Sequence, residues 1–97
     1  MNERDITNQI TDYLKLRGCW LFKVHGHLGK KPGVPDVIFC WRGCFGAVEV
    51  KVPQALHTPK QIERFLAPRQ REQLLSIVEA KGIGIVAVDV SDVMRVI

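Results

Sequence analysis

The stretch GVPDVIFCWRGCFGAVEVK, Gly33 to Lys51, is the most apolar long segment of the chain, yet Asp36 sits near one end and Glu49 and Lys51 at the other. DVIFCW and CFGAVEVKV have the β-branched and aromatic content of strands, and Arg42-Gly43 between them has turn character. A tight turn at that dipeptide pairs Trp41 with Cys44 and, counting outward, sets Asp36 opposite Glu49. Opposed residues of an antiparallel pair share a face, with Cβ atoms about 4.5–5.5 Å apart. Lys51 lies on that face too, because side chains alternate along a strand. Ile38, Cys40, Phe45 and Ala47 fill the rest of it, while Val37, Phe39, Trp41, Val48, Val50 and Val52 form the other. Both faces are apolar, and the charges gather at one end of one face.

Opposed carboxylates repel, so stability alone disfavours them. A divalent cation between them removes the conflict. Hard ions such as Mg²⁺ take oxygen ligands from one or two carboxylates, with water and phosphate oxygens completing the shell. A nearby lysine then contacts phosphate or orients an attacking water. The plainer alternative reads Glu49 and Lys51 as the polar end of a strand and Asp36 as a turn residue after Pro35. Pairing geometry alone leaves both open, and a one-residue change in turn length would undo the opposition.

Working outward, Ile6, Ile10, Tyr13 and Leu14 fall at helical spacing and Gly18 follows as a stop, which predicts a helix over residues 3–17. CWLFKV, Cys19 to Val24, reads as a strand, and HGHLGKKPGVP, His25 to Pro35, as a loop punctuated by glycine and proline. TPKQ at Thr58–Gln61 is a capping box with proline at the first helical position. Pro68 kinks or restarts that helix, and Leu74, Leu75, Ile77 and Val78 carry it to Gly82 as C-cap. IGIVAVDV is a fourth strand after a helical crossover, so it is expected to run parallel to its neighbour. SDVMRVI is a short helix or an edge strand. The order α-β-β-β-α-β is that of an α/β layer, a mixed sheet flanked by helices.

The 97 residues suit one domain. At 46% hydrophobic and 25% charged the composition is ordinary for a globular chain. A net charge of +4 and a pI of about 9.2 favour an anionic partner, nucleic acid first. No apolar run reaches the roughly 20 residues of a membrane span. The polar start MNERDITNQ does not have the form of a signal peptide. Cys19, Cys40 and Cys44 lack zinc-finger spacing and are read as core thiols of a reducing, cytoplasmic compartment.

Pro35-Asp36 followed by EVK at Glu49–Lys51 resembles the PD-(D/E)XK nuclease motif, here set behind a first helix, on a hairpin, and ahead of a helix and a strand. More closely the chain resembles the VRR-NUC family of that superfamily. The family pattern is a glutamate in the first helix, a GxPD element, ExK, and a glutamine in the following helix before a glycine. Here these are Glu3, Gly33–Asp36, Glu49–Lys51, Gln70 and Gly82. The resemblance spans nearly the whole chain and implies a restriction-endonuclease-like fold over residues 1–97. It implies Asp36 and Glu49 as ligands of Mg²⁺ or Mn²⁺, the Val50 carbonyl as a further ligand, Lys51 as the catalytic lysine, and no organic cofactor. The implied reaction is hydrolysis of DNA phosphodiester bonds, leaving 5′-phosphate and 3′-hydroxyl ends. Short stand-alone members resemble phage or prophage proteins that act as homodimers on branched DNA. A four-way (Holliday) junction cut by a dimer is therefore the expected substrate, with no membrane partner.

With that site in view, two further residues gain a purpose. Gln70 shares a helical stripe with Leu66, Leu74 and Ile77. A buried amide without partners costs about 1–3 kcal/mol; a metal ligand or Lys51 would satisfy it, as would backbone. Gln61 and Gln73 are rivals, but Gln70 has the better spacing to Gly82. Glu3 lies on the stripe of Ile6, Ile10 and Leu14 and either adds a carboxylate to the site or simply sits at the positive end of a helix. The loop with His25, His27, Lys30 and Lys31 is read as a mobile phosphate-contacting segment, without the ligands for zinc or the spacing of a P-loop. Lys23, Lys60, Arg64, Arg69 and Arg71 extend a basic surface or form a solvated face. Two other classes remain: a non-catalytic nucleic-acid-binding module on the same fold, and a structural α/β protein with incidental charges. The intact Asp36, Glu49 and Lys51 set argues against the first; the second predicts no response to metal and no DNA retention at low salt.

Overall fold

The computed structural model describes residues 2–24, 33–52 and 66–97. Helix α1 spans Glu3–Leu16, strands β1, β2 and β3 span Trp20–Lys23, Val37–Trp41 and Cys44–Val50, helix α2 spans Pro68–Glu79, β4 spans Ile83–Ala87, and helix α3 spans Val90–Met94. The sheet order is β1-β2-β3-β4. The first three strands are antiparallel neighbours and β4 runs parallel to β3, as the helical crossover requires.

The hairpin register is the one the sequence dictates: Trp41 pairs with Cys44, Phe39 with Gly46 and Val37 with Val48. Arg42 and Gly43 both have positive φ, 49° and 79°, which matches the turn to the right-handed twist of the strands. The ladder stops one pair earlier than expected. Pro35 has no N–H to donate, and Asp36 bends out after it, giving its carbonyl to Val24 N–H at 2.8 Å. Asp36 and Glu49 are therefore not a ladder pair.

Two apolar layers sandwich the sheet. On one face, Ile6, Ile10 and Leu14 of α1 and Val93 of α3 pack against Val37, Phe39, Val48, Val50, Ile85 and Ala87. Each such side chain contributes about 1.5–3 kcal/mol on full burial. On the other face, Leu74 and Ile77 of α2, with Leu66, cover Ile38, Ala47 and Val86. Leu75 and Val78 of α2 are exposed rather than packed.

Helix ends follow local chemistry, with one reversal. Asn2 caps α1 by accepting from Asp5 N–H at 2.9 Å. At its other end Gly18, φ 81°, takes the left-handed position, with Cys19 N–H bonded to the Leu14 carbonyl. Helix α2 starts at Pro68, so that proline begins a helix instead of kinking one; Thr58–Gln61 lies outside the described residues. At its C-terminus the expected cap is displaced. Lys81, φ 72°, takes the left-handed position and Gly82 follows, its N–H bonded to the Ile77 carbonyl at 2.8 Å. Gly82 is needed for room, since a Cβ there would lie 2.7 Å from Ile77 Cγ2.

β4 ends at Ala87 rather than at Val90, because Asp89 caps α3 by accepting from Ser91 N–H at 2.8 Å. The last segment is thus helix, not strand. The cysteines are free and half-buried rather than fully inside the core as expected, with Cys19 packed against its edge. Among the described residues no helix is long and apolar enough to cross a membrane.

Phe39 owes its place to Gly46 opposite: a Cβ at Gly46 would lie 2.1 Å from the ring. Gly46→Ala is expected to displace that ring and destabilise the chain by about 1–3 kcal/mol, read as a lower urea midpoint with an unchanged m-value.

Candidate active site

β3 carries Glu49 to the end of the sheet on the α2 side, where it registers with Val86 and is only 4% exposed. Lys51 follows on the same side, its backbone N–H held by the Ala87 carbonyl at 2.9 Å. Asp36 is fixed by its own carboxylate, Oδ2 accepting from Val50 N–H at 2.7 Å. The bond ties the residue after Pro35 to the centre of the ExK element.

Gln70 joins the charged pair. Its Nε2 donates to Glu49 Oε1 at 2.9 Å, and its Oε1 accepts from Lys51 Nζ and from Ala67 N–H, each at 3.0 Å. A primary amide donates to a carboxylate through its nitrogen while its oxygen accepts from an ammonium and still has a lone pair for a backbone N–H. Gln70 stands at the third position of α2, and Ala67 before the helix has no side-chain oxygen to cap it. The glutamine therefore satisfies a helix-end N–H and the pair together. Lys51 Nζ lies 3.9 Å from Glu49 Oε1, so the amide is the closer link between the charges.

Glu49 Oε2 is buried and has no hydrogen-bond partner. Burial, then the negative charge of Asp36, push the Glu49 pKa up to about 8; Lys51 pulls against them, while the Asp36 carboxyl as a hydrogen-bond partner of the protonated acid and, last, the charge of Glu3 push further. A carboxylate oxygen aimed into protein without a donor is what a cation ligand looks like before the cation arrives. The donor set fits a hard divalent ion. No three acidic, histidine or cysteine side chains close on one point among the described residues, so these carboxylates would give such an ion only part of its shell, with water and phosphate oxygens as the remainder.

A cleft of about 470 Å³ opens beside Asp36, lined also by Glu3, Arg4, Thr7, Asn8, Lys23 and Val24. Glu3 thus shares the cleft with Asp36 from the first turn of α1. Lys23 points into it from β1, its Nζ held by Asn8 Oδ1 at 2.6 Å. Arg4, Thr7 and Asn8 had no part in the sequence reading. Thr7 lies one turn from Glu3 and Asn8 one turn from Arg4 along the same helix, and that spacing was the signal available. Gln73 lines a different hollow, with Phe45 and Gly82. Lys30, Lys31, His25, His27, Lys60, Gln61 and Arg64 lie outside the described residues. Gly33, φ 82°, packs on the start of α2 so closely that a Cβ would lie 2.4 Å from the Arg69 carbonyl oxygen. That contact locks the segment carrying Asp36 against the helix carrying Gln70.

No family model matches the sequence, and no curated protein does. Solved structures do match the fold. A VRR_NUC domain superposes with a TM-score of 0.61 at 20% identity, over 96% of this chain and 90% of that one. Hjc, a Holliday junction resolvase from the archaeal hyperthermophile Archaeoglobus fulgidus, superposes with a TM-score of 0.57 at 20% identity, over 89% of this chain and 67% of that one. The chain has the restriction-endonuclease-like fold that these structures share.

A raised Glu49 pKa makes stability depend on pH. Between about pH 4.5 and about pH 8 the folded chain keeps a proton that the unfolded chain has lost, so raising the pH through that window removes stability. In the presence of chelator the melting temperature is expected to fall across this range. Glu49→Gln, which cannot ionise, is expected to flatten the profile.

Proposed function

We propose that the chain is a Mg²⁺- or Mn²⁺-dependent endonuclease that hydrolyses phosphodiester bonds in branched DNA, with four-way junctions as its substrate and a homodimer as its working form. The observation that carries this reading is the buried, unpartnered Oε2 of Glu49 beside Asp36, with Lys51 fixed at the same point through Gln70. The fold likeness to a VRR_NUC domain and to a junction resolvase supports it.

Asp36 and Glu49 would hold the ion, with the Val50 carbonyl as a further oxygen and Glu3 placed to add a carboxylate from across the cleft. What the ion supplies when bound is polarisation of the scissile phosphate and a more acidic water. The chain's own residues do the positioning. Asp36 is held by Val50 N–H, so that its remaining oxygen is oriented without further cost in side-chain freedom. Lys51 gives one N–H to Gln70 and keeps further donors to direct a water or a phosphate oxygen in line. Gln70 keeps Glu49 and Lys51 in register through a single rigid amide. Lys23 and Arg4 line the cleft and would contact flanking phosphates, with Lys30, Lys31 and His27 extending that contact. Backbone contacts carry no sequence information, which favours recognition by shape. A two-fold dimer would set two such sites symmetrically, as paired cuts in a junction need.

The test is cleavage of end-labelled four-way junction, splayed arm and duplex with Mg²⁺ or Mn²⁺. Symmetric, metal-dependent cutting of the junction is expected. Lys51→Ala should lower the rate about 10²- to 10⁴-fold while leaving binding intact, and Gln70→Ala about 10- to 100-fold. Binding without cutting by wild type would replace this reading with a non-catalytic DNA-binding module. Sedimentation at micromolar concentration should give a dimer; a monomer would rule out paired cutting by a preformed dimer. Mn²⁺ should raise the melting temperature by several degrees, and Glu49→Ala should abolish the shift.

A further inference from the structure

Three turns form the end of the sheet opposite Asp36 and Glu49. They are the α1–β1 turn at residues 17–19, the β2–β3 turn at 42–43 and the α2–β4 turn at 80–82. Each presents an exposed cation: Arg17, Arg42 and Lys81. The Arg42 and Arg17 guanidiniums lie 4.9 Å and 5.9 Å from the centroid of the Trp41 ring, so two like charges share one aromatic side chain. The turn of Lys81 adjoins the hairpin, where Cys44 Sγ contacts the Lys81 carbonyl at 3.7 Å. Among the described residues neither arginine has a carboxylate partner; Glu79, at the end of α2, is the acidic residue nearest these turns in sequence.

Two of these cations occupy left-handed backbone. Arg42 and Lys81 are the non-glycine residues with positive φ among the described residues. The first position of such a hairpin turn prefers Asn, Asp or Gly, and the position after a helix C-cap prefers Gly. Gly18 obeys that preference at the end of α1. A chain shaped for stability alone would obey it at 42 and 81 as well. Helix dipoles favour cations near the ends of α1 and α2. They do not account for Arg42, which ends no helix, nor for a lysine where glycine fits without strain. Strained backbone persists where the side chain is needed.

We propose that this end of the sheet is a second nucleic-acid contact, in which Arg42, Lys81 and Arg17 bind the phosphates of a duplex and Trp41 holds the two guanidiniums in place. From Asp36 to Arg42 the hairpin runs about 20 Å at roughly 3.3 Å per residue. The phosphates bound here are therefore not those at the candidate site but those of another stretch of the same duplex or of a second arm. Binding at this end does not require the proposed hydrolysis.

Arg42→Asn and Lys81→Gly install the residues these backbone positions prefer, so the double variant should melt at the same temperature as wild type or higher. Its affinity for a fluorescent duplex of about 30 base pairs, measured with EDTA present over a salt series, should fall about tenfold or more at the lowest salt. The slope of log K against log salt should shrink by about two, close to 0.9 per lost phosphate contact. Unchanged affinity and slope in a variant that folds as well as wild type would overturn the proposal, as would a wild-type chain that fails to bind duplex at low salt. Because this binding is measured without metal, a chain that binds through this end but cuts no junction when Mg²⁺ or Mn²⁺ is supplied would refute the endonuclease reading and leave this proposal standing.

Discussion

The Gln70 amide is the joint on which the charged end of the sheet depends. It faces a buried carboxylate with its nitrogen and an ammonium with its oxygen, and the same oxygen takes the N–H of Ala67 at the cap of α2. An acid in its place would repel Glu49, and an aliphatic side chain would strand three polar groups. For the amide to reach Glu49, α2 must cross over the sheet and deliver β4 parallel to β3. That crossover also covers Ala47 and Val86 with Leu74 and Ile77. Core packing on this face and assembly of the charged cluster are thus one event.

The cluster is not built for stability. A carboxylate this buried, with one oxygen unsatisfied and a second acid beside it, holds its proton far above the usual range. The surrounding structure tolerates this because it is over-determined. Asp36 is tied to Val50, Gly33 is pressed against Arg69, and Phe39, Val48 and Val50 anchor the hairpin in the larger core. A similar trade recurs at the far end of the sheet, where Arg42 and Lys81 hold left-handed backbone that glycine would take more cheaply. Both ends give up local preference to keep charge in place, acidic at one and basic at the other.

The hairpin was legible in the sequence because its turn and alternation are local. Arg42-Gly43 fixes the register, and the register puts Glu49 and Lys51 on one face with Ile38 and Ala47. The parallel course of β4 followed from the need for a crossover. Local rules overreached at the ends of elements. Asp36 leaves the ladder because its carbonyl serves Val24 and its carboxylate serves Val50. The left-handed position falls at Lys81, and Gly82 is needed instead for room beside Ile77 and Phe45. The fourth strand stops at Ala87, short of Val90, because Asp89 caps the helix that follows, and of the two readings for the final segment the helix holds.

What the sequence by itself determined is the order of elements, the hairpin register and the presence of two acids and a lysine at one end of it. These depend on turn chemistry and on periods of two and 3.6 residues, which act within a few positions along the chain. The tertiary structure alone decided that Gln70 bridges Glu49 and Lys51 while also capping Ala67, that Glu3 and Lys23 share a cleft with Asp36, and that one oxygen of Glu49 is buried without a donor. Each of those depends on how helices seat on the two faces of the sheet. That seating is set by the summed packing of Ile6, Ile10, Leu14, Leu74 and Ile77 against strands distant in sequence, which no local rule contains.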